Sequence, residues 1–392
     1  MSNKIDESEK GASLMLGGDT KDYKDLMISL VKPFYNRTDI NEILMEMYEK
    51  GASDIHIQSD DYIKIKYQRD LVPVTQRPIT DSEVKSFIKE IYGENATSQM
   101  NSREDINTSH AINTRDGKQI RFRVNAIAVY TDSGDGVQIT IRTIQSTPIP
   151  LKVLKLEKEI WDNFVPEQGL IIVTGPTGSG KTTLMSSCIR EILETPNSSK
   201  KIVTYEQPIE YVYDSIDIGN NIITQTEVPR HIASFGLGLE SSMRRAPNII
   251  LIGEARDKET IMNSILASQT GHLVYATAHT NSVAETVSRL INVFSPEERT
   301  ALQFDLIESL KMIVAQRLIR GVNGKNVAIK EYLIFDREVK RRLRDTDPNL
   351  ISSELDKIVN EKKLSLYQDA LRKFESNIIS EEELEKLKLS YG

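Results

Sequence analysis

With 392 residues, 39% apolar and 27% charged, the chain has an ordinary soluble globular composition and enough length for two or three domains. A formal net charge of -7 argues against a protein that mainly wraps nucleic acid and leaves room only for a local basic groove. No apolar run approaches the ~20 residues that cross a bilayer.

Residues 1–36 are polar and dotted with glycine, and are expected to form a loosely ordered arm. Acids and glycines stand there where a signal peptide needs an apolar core. Ile40, Ile43, Leu44 and Met47 then recur at helical spacing. Beyond Ser53 and Asp54, the alternation of Ile55 with Ile57, and of Ile63, Ile65 and Tyr67, predicts strands. Val84, Phe87, Ile88 and Ile91 mark a second amphipathic helix, with Asp81 and Ser82 as cap candidates. Two more strands are expected over 120–128 and 137–144, with a turn at Gly134, Asp135 and Gly136. Residues 37–144 thus read as a small α+β domain.

QSTPIP at 145–150 reads as a linker, because Pro148 and Pro150 stop both helix and sheet. After it, short apolar strands at 170–174, 202–204, 249–252 and 273–277 alternate with helices. That pattern marks a parallel sheet covered on both faces, so residues 151–335 are α/β. From Asp336 the segment 336–392 is charged and helical, with Leu355, Ile358, Leu364, Tyr367, Leu371 and Phe374 as its expected buried side. Cys188, the single cysteine, excludes an internal disulfide, fits a reducing compartment and reads as a small buried hydrophobe.

The chemistry concentrates between Gly169 and Asn281. GPTGSGKT at 175–182 fits G-x-x-x-x-G-K-[ST], directly after an apolar strand and before the helical LMSSCIREIL. Its glycines let backbone N–H groups converge on phosphate oxygens that a Cβ would obstruct. The following helix N-terminus adds partial positive charge. Gly175, Pro176, Thr177, Gly178, Ser179, Gly180, Lys181, Thr182 and Thr183 are therefore the candidate nucleotide-binding residues. Lys181 is expected to reach the β- and γ-phosphates, and Thr182 to ligate Mg²⁺. IILIGE at 249–254 is an apolar strand ending in an acid, which a buried strand carries to the ligand edge of an open sheet. Gly253 stands where such strands commonly end in Asp, so Glu254 is the candidate to orient the attacking water.

Four motifs in this order, GPTGSGKT, TYEQPIEY, IILIGEARDKET and TGHLVYATAHTN, resemble those of the PilT/GspE-type secretion ATPases. The resemblance covers residues 40–335 and includes GASDIHI at 51–57 and RFRVN at 121–125. It implies a RecA-like P-loop ATPase core with a smaller PAS-like α+β N-terminal domain, joined here to a helical C-terminal tail. It also implies a homohexamer that binds ATP and Mg²⁺ between neighbours. Glu206 and Glu210 would lie in an acidic box near metal and water, Glu206 as a metal ligand and Glu210 in a catalytic role. The alternative for each is a surface-loop carboxylate. Gln207 and Asn248 stand where the family commonly has Asp. His272 and His279 match the histidine box, where a neutral imidazole can report the γ-phosphate; His279 is the better placed, and His272 can equally cap a turn. Arg121, Arg123 and Arg142 are candidates to complete a neighbour's site in trans, although each alone can equally be an exposed strand charge. Arg256 matches the family's G-E-x-R-D arginine, with an ion pair to Asp257 as the alternative. Five histidines without Cys/His spacing make zinc unexpected.

One cysteine forbids the four-cysteine zinc module usual in GspE-like motors. PilT-like retraction motors are close in length, but segment 336–392 extends beyond what they are expected to carry. The resemblance is therefore closest to the DotB/TraJ branch, the ATPases of type IVB (Dot/Icm-type) secretion and related plasmid conjugation, with pilus retraction as the alternative. It implies a cytoplasmic protein recruited to an inner-membrane complex, with a second machine ATPase as a possible partner and no sequence-specific nucleic-acid binding. From other classes, a nucleotide switch or scaffold without turnover needs no acid aimed at water. A helicase on the same core fits poorly with 6% aromatic residues.

Overall fold

The computed structural model describes residues 23–68, 70–114, 117, 119–144 and 147–391. Residues 1–22 of the expected arm, and Gln145 and Ser146 of the expected linker, lie outside the described residues. The chain divides into two compact units, Met1–Ser146 and Thr147–Gly392.

The first unit contains α1 (Asp39–Glu49), β1 (Asp54–Gln58), β2 (Lys64–Tyr67), β3 (Asp70–Pro73), α2 (Asp81–Tyr92), α3 (Ala96–Asn101), β4 (Ile106–Asn113), β5 (Gln119–Thr131) and β6 (Gly134–Ile144). Among the described residues its strands form one antiparallel sheet in the order β3-β2-β1-β6-β5-β4. Side chains alternate across a strand. Ile55, Ile57, Phe122, Val124, Ile139 and Ile141 therefore pack into a core with Ile43, Leu44, Val84 and Phe87. The other face carries a polar row in which Arg123 lies opposite Arg142, Arg142 opposite Asp54, and Asp54 opposite Lys66.

Three details differ from expectation. The β5–β6 turn falls at Asp132 and Ser133, because Thr131 pairs with Gly134. Gly136 lies within β6, where an added Cβ would come 2.7 Å from Thr131 Cγ2, so its role is close approach. Thr80, not Asp81 or Ser82, is the N-cap of α2, and it forms a capping box with Glu83. Finally, the arm is packed over part of its length. Leu26, Ile28 and Tyr35 are buried in the first core, and the Ile28 N–H donates to Val74 O.

Glu83 is what ties this segment down. One carboxylate oxygen accepts from Tyr35 N–H at 2.7 Å and from Arg77 Nη2 at 2.5 Å. The other accepts from Thr80 N–H and Thr80 Oγ1. Burial alone would raise its pKa, but the Arg77 guanidinium and these donors outweigh it and hold the group at about 2.

The second unit contains α4 (Leu151–Leu154), α5 (Lys158–Asp162), β7 (Gly169–Thr174), α6 (Lys181–Glu194), β8 (Lys201–Glu206), β9 (Ile222–Glu227), α7 (Phe235–Ser242), β10 (Ile249–Ile252) and α8 (Lys258–Gln269). It continues with β11 (Leu273–Ala278), α9 (Val283–Asn292), α10 (Pro296–Ser309), β12 (Leu310–Arg320) and β13 (Asn326–Ile334). The tail adds α11 (Arg337–Arg344), α12 (Ile351–Glu361), α13 (Leu366–Glu375) and α14 (Glu381–Tyr391). The sheet order among the described residues is β13-β12-β7-β11-β10-β8-β9, parallel throughout except for β13.

Both faces of this sheet are covered. Ile172, Val203, Ile250 and Ala276 pack with Leu239, Ile261, Val287 and Leu306 on one side. Ile171, Val173, Leu251 and Tyr275 pack with Leu184, Cys188 and Ile192 on the other. Cys188 is fully buried, and burial pushes its thiol pKa up, which leaves it inert.

In the tail, Leu355 and Ile358 are buried in the first of these layers, while Leu364, Tyr367, Leu371 and Phe374 are only partly buried. The deeply buried apolar residues of α13 are Leu366 and Ala370, packed with Ile329 of β13 and with Leu384 and Leu387 of α14. Polar anchors accompany them. Buried Lys330 places its ammonium 2.9 Å from Glu157 and donates its backbone N–H to Asp369. Glu331 accepts from Val283 N–H at 2.7 Å and from the Leu366 N–H. One carboxylate thus sits at the starts of both α9 and α13.

The Glu83 geometry sets a pH dependence. Its folded pKa lies below the ordinary 4.5, so its stabilisation is complete above that value and is lost as pH falls toward 2. Glu83→Gln is expected to weaken the first unit by about 3 kcal/mol at pH 7, with the gap to the parent closing in acid. Oxidation of buried Met47 and Met100 along a urea series, at neutral pH and at about pH 3, reads this out; a gap that is the same at both pH values would refute it.

Candidate functional site

Strands β7, β11, β10 and β8 run parallel, with Thr174 opposite Ala278 and Ile252 opposite both Ala276 and Tyr205. Their C-terminal ends share one edge, where open α/β sheets bind ligands. The 175–180 loop leaves β7, Glu254 follows β10, His279 follows β11, and the 206–211 segment follows β8. The topology therefore collects at this edge four segments that are widely separated in the sequence.

The 175–180 loop is held tightly from below. Gly175 has φ +148°, and a Cβ there would sit 2.3 Å from Gln316 O, so no other residue fits. Gln316 Nε2 donates to Ser179 O at 2.7 Å. Ser179 Oγ is buried and makes no hydrogen bond among the described residues. Thr177 and Gly178 are exposed, and Gly180 enters α6 at φ +83°.

Lys181, Thr182 and Thr183 form the first turn of α6. The Lys181 ammonium donates to Gly175 O at 2.7 Å and Pro176 O at 3.1 Å, and lies 3.5 Å from His279 Nδ1. Burial lowers its pKa, while Glu254 and Glu210 oppose that shift, so both carboxylates act on this ammonium. His279 Nε2 is 3.8 Å from Glu254 Oε1, and Arg256 Nη1 is 3.6 Å from Glu254 Oε2. Lysine, imidazole, carboxylate and guanidinium thus follow one another along the edge. Burial first, and then Lys181, depress the His279 pKa, so its ring is neutral near pH 7.

The acidic segment is more deeply set. Glu206 is buried, and its Oε1 accepts from Thr204 Oγ1 at 2.7 Å and Gln225 Nε2 at 3.0 Å. Glu210 is half-buried. The Thr183 hydroxyl pairs with Tyr211 Oη at 2.9 Å and so docks this segment on α6. Thr182 stands beside Lys181 in the first turn, the place from which a P-loop hydroxyl meets magnesium.

His272 lies elsewhere in the second unit. His272 precedes β11 and His279 follows it, so about 20 Å of strand separates them. His272 bonds Ala267 O, as a turn residue does. Arg256 pairs with Glu254 rather than Asp257, because Asp257 caps α8 through Thr260. Asn248, at the start of β10, bonds Lys201 backbone at the far edge. In the first unit Arg121 is buried rather than exposed, and donates to Ser109 Oγ at 3.0 Å. Arg123 and Arg142 are exposed, with Arg142 Nε 2.6 Å from Asp54 Oδ1.

The structure adds residues that the motifs pass over. Gln316 and Arg317 interrupt the apolar β12, one supporting Ser179 and the other bonding Asn281 Oδ1; a polar pair inside MIVAQRLI is the signal that marks them. Arg289 lines the pocket beside Glu254 and His279 and donates to His279 O at 3.1 Å. Nothing in its helical context distinguishes it.

Because His272 sits at the opposite end of β11, His272→Ala is expected to keep nucleotide turnover within about two-fold of the parent in a phosphate-release assay, and a loss beyond about ten-fold would place that ring in the site.

The family described as Type II/IV secretion system protein matches residues 35–380. The type IV pilus retractation ATPase PilT of Pseudomonas aeruginosa is 34% identical over 316 residues, covering 78% of this chain and 86% of that protein. The X-ray structure of the Legionella pneumophila ATPase DotB superposes with a TM-score of 0.88 at 38% identity, over 93% of this chain and 99% of that one. The DotB of Yersinia pseudotuberculosis gives a TM-score of 0.73 at 30% identity, over 92% and 96% of the two chains. The chain belongs to the type II/IV secretion system protein family, and within the PilT/GspE superfamily it is an ATPase near DotB.

Proposed function

We propose that this ATPase is the hexameric motor of a type IVB (Dot/Icm-like) secretion apparatus or of a related plasmid conjugation apparatus. The observation that carries the catalytic part is the Lys181–His279–Glu254 run at the sheet edge. In this reading the 175–182 loop grips the triphosphate, and Lys181 neutralises its β- and γ-oxygens. Glu254, oriented by Arg256, aligns the attacking water and takes its proton. Neutral His279 donates to a γ-oxygen, and Glu210 adds a polar contact beside it. Thr182 would hold Mg²⁺, with Glu206 behind it; bound magnesium would spread the phosphate charge.

The exposed Arg123 and Arg142 are the proposed trans arginines, with Arg121, on the same strand as Arg123, bracing that strand through its bond to Ser109. Residues 145–150 would serve as the hinge for nucleotide-driven motion of the first unit. No described helix is long and apolar enough to cross a membrane. The reading has the ring dock from the cytoplasmic side on an inner-membrane complex, or on a second machine ATPase.

The type IVB assignment is supported by the likeness to DotB over 99% of the Legionella chain. Pilus retraction is the second reading, favoured by 34% identity to PilT. Deleting the gene in its host separates them: loss of protein or plasmid transfer with normal pilus retraction supports the first, and the reverse result supports the second.

Glu254→Gln tests the site itself. It is expected to bind ATP as tightly as the parent and to lose turnover by about 100-fold or more. Mass photometry with ATP and Mg²⁺ should show rings for both proteins. Turnover that survives the substitution would remove Glu254 from its role, and parent protein that binds ATP without turnover would favour a switch.

A further inference from the structure

Three buried hydroxyls tie the histidine loop to the strand that delivers the phosphate loop. Thr174, the last residue of β7, Thr280 and Thr286 are each almost fully buried. Thr280 N–H donates to Thr174 Oγ1 at 2.9 Å, and the two hydroxyls lie 2.5 Å apart. Thr280 Oγ1 is 2.6 Å from Thr286 Oγ1, which lies 2.7 Å from Ser282 O.

Each hydroxyl has one proton, and the direction follows once Thr286 bonds the Ser282 carbonyl. Thr286 gives its proton to the Ser282 carbonyl, so it accepts from Thr280. The Thr280 proton is then committed, and the 2.5 Å contact is donated by Thr174. The run is Thr174 to Thr280 to Thr286 to Ser282 O. It is fully satisfied and buried, the condition under which such a network rigidifies its surroundings.

His279 lies inside this run. Its side chain is 40% exposed, so packing alone does not hold it. Its neighbour does: the Thr280 N–H donates to Thr174 Oγ1 at 2.9 Å, and Thr280 Oγ1 meets Thr286 Oγ1 of α9 on the other side.

We infer that Thr280 is a positioning residue for ATP hydrolysis, whose hydroxyl joins the end of β7 to Thr286 of α9 and so holds the intervening loop with the His279 imidazole set against Lys181 and Glu254. This rests on the reading that His279 contacts the terminal phosphate. Thr280→Val keeps the shape and removes the hydroxyl. The Thr174 proton then turns to Ala278 O or Thr280 O and the Thr280 N–H still reaches Thr174, so the fold is retained and only the link from β7 to Thr286 of α9 is lost.

Steady-state ATPase assays on the full chain test the inference. Thr280→Val is expected to lower kcat about ten-fold with KM for ATP within about two-fold, and Thr280→Ser to restore kcat to within about two-fold of the parent. Thr286→Val, which breaks the run at its far end, is expected to lower kcat about three-fold and serves in place of Thr280→Val should that variant not fold. Full turnover in the valine variants, a KM increase in place of the kcat loss, or failure of serine to rescue overturns the inference. His279→Ala separates it from the reading beneath it: unchanged turnover there removes the histidine's role, whereas a slow His279→Ala beside a fast Thr280→Val removes only that of Thr280.

Discussion

Thr174 lies opposite Ala278 on adjoining parallel strands, and β10 and β8 continue the same alignment on the other side of β11. Parallel pairing brings like ends of strands together, so whatever follows each strand is delivered to one line. A register slip of one residue would exchange the two faces of every strand. Two buried layers forbid that slip, since Ile172 and Ile250 must meet one set of helices while Ile171 and Leu251 meet the other. The chemistry at the edge is thus set by hydrophobic packing several residues away.

Along that edge the charges alternate in a useful way. Lys181 faces a neutral imidazole rather than an imidazolium, because burial and the lysine itself keep His279 uncharged. Glu254 lies between that ring and the Arg256 guanidinium. A carboxylate braced on one oxygen keeps the other available for a proton, which is the task of a residue that aligns water. Glu254 and Glu210 offset part of the desolvation of Lys181, whose ammonium rests on the Gly175 and Pro176 carbonyls.

Much of this was legible in the sequence for a physical reason. The glycines of 175–180 and the apolar strands ending at Thr174, Ile252 and Ala278 are local signals, and the elements follow them closely. What was not legible depended on contacts between distant segments. β9 reads IITQTE, too polar to mark a strand, and is held by its pairing with β8. β12 and β13 are not marked in the sequence because polar residues such as Gln316 and Glu331 break their apolar runs, each for a partner elsewhere in the chain. The arm looked unstructured at Leu26, Ile28 and Tyr35 because nothing nearby predicts Glu83, 48 residues on from Tyr35, as the acceptor of its backbone. His272 and His279 are alike as letters, and only the length of β11 puts one of them at the wrong end.

Glu331 offers a last consequence. Its carboxylate is shared by the opening N–H groups of α9 and α13, so a strain applied to the tail cannot stay in the tail. Shifting α13 by the length of a hydrogen bond must either drag the beginning of α9 along or leave a buried acid lacking a donor, at about 1–3 kcal/mol. The beginning of α9 is four residues from His279. The C-terminal helices and the segment that leads from His279 into α9 thus share one buried carboxylate.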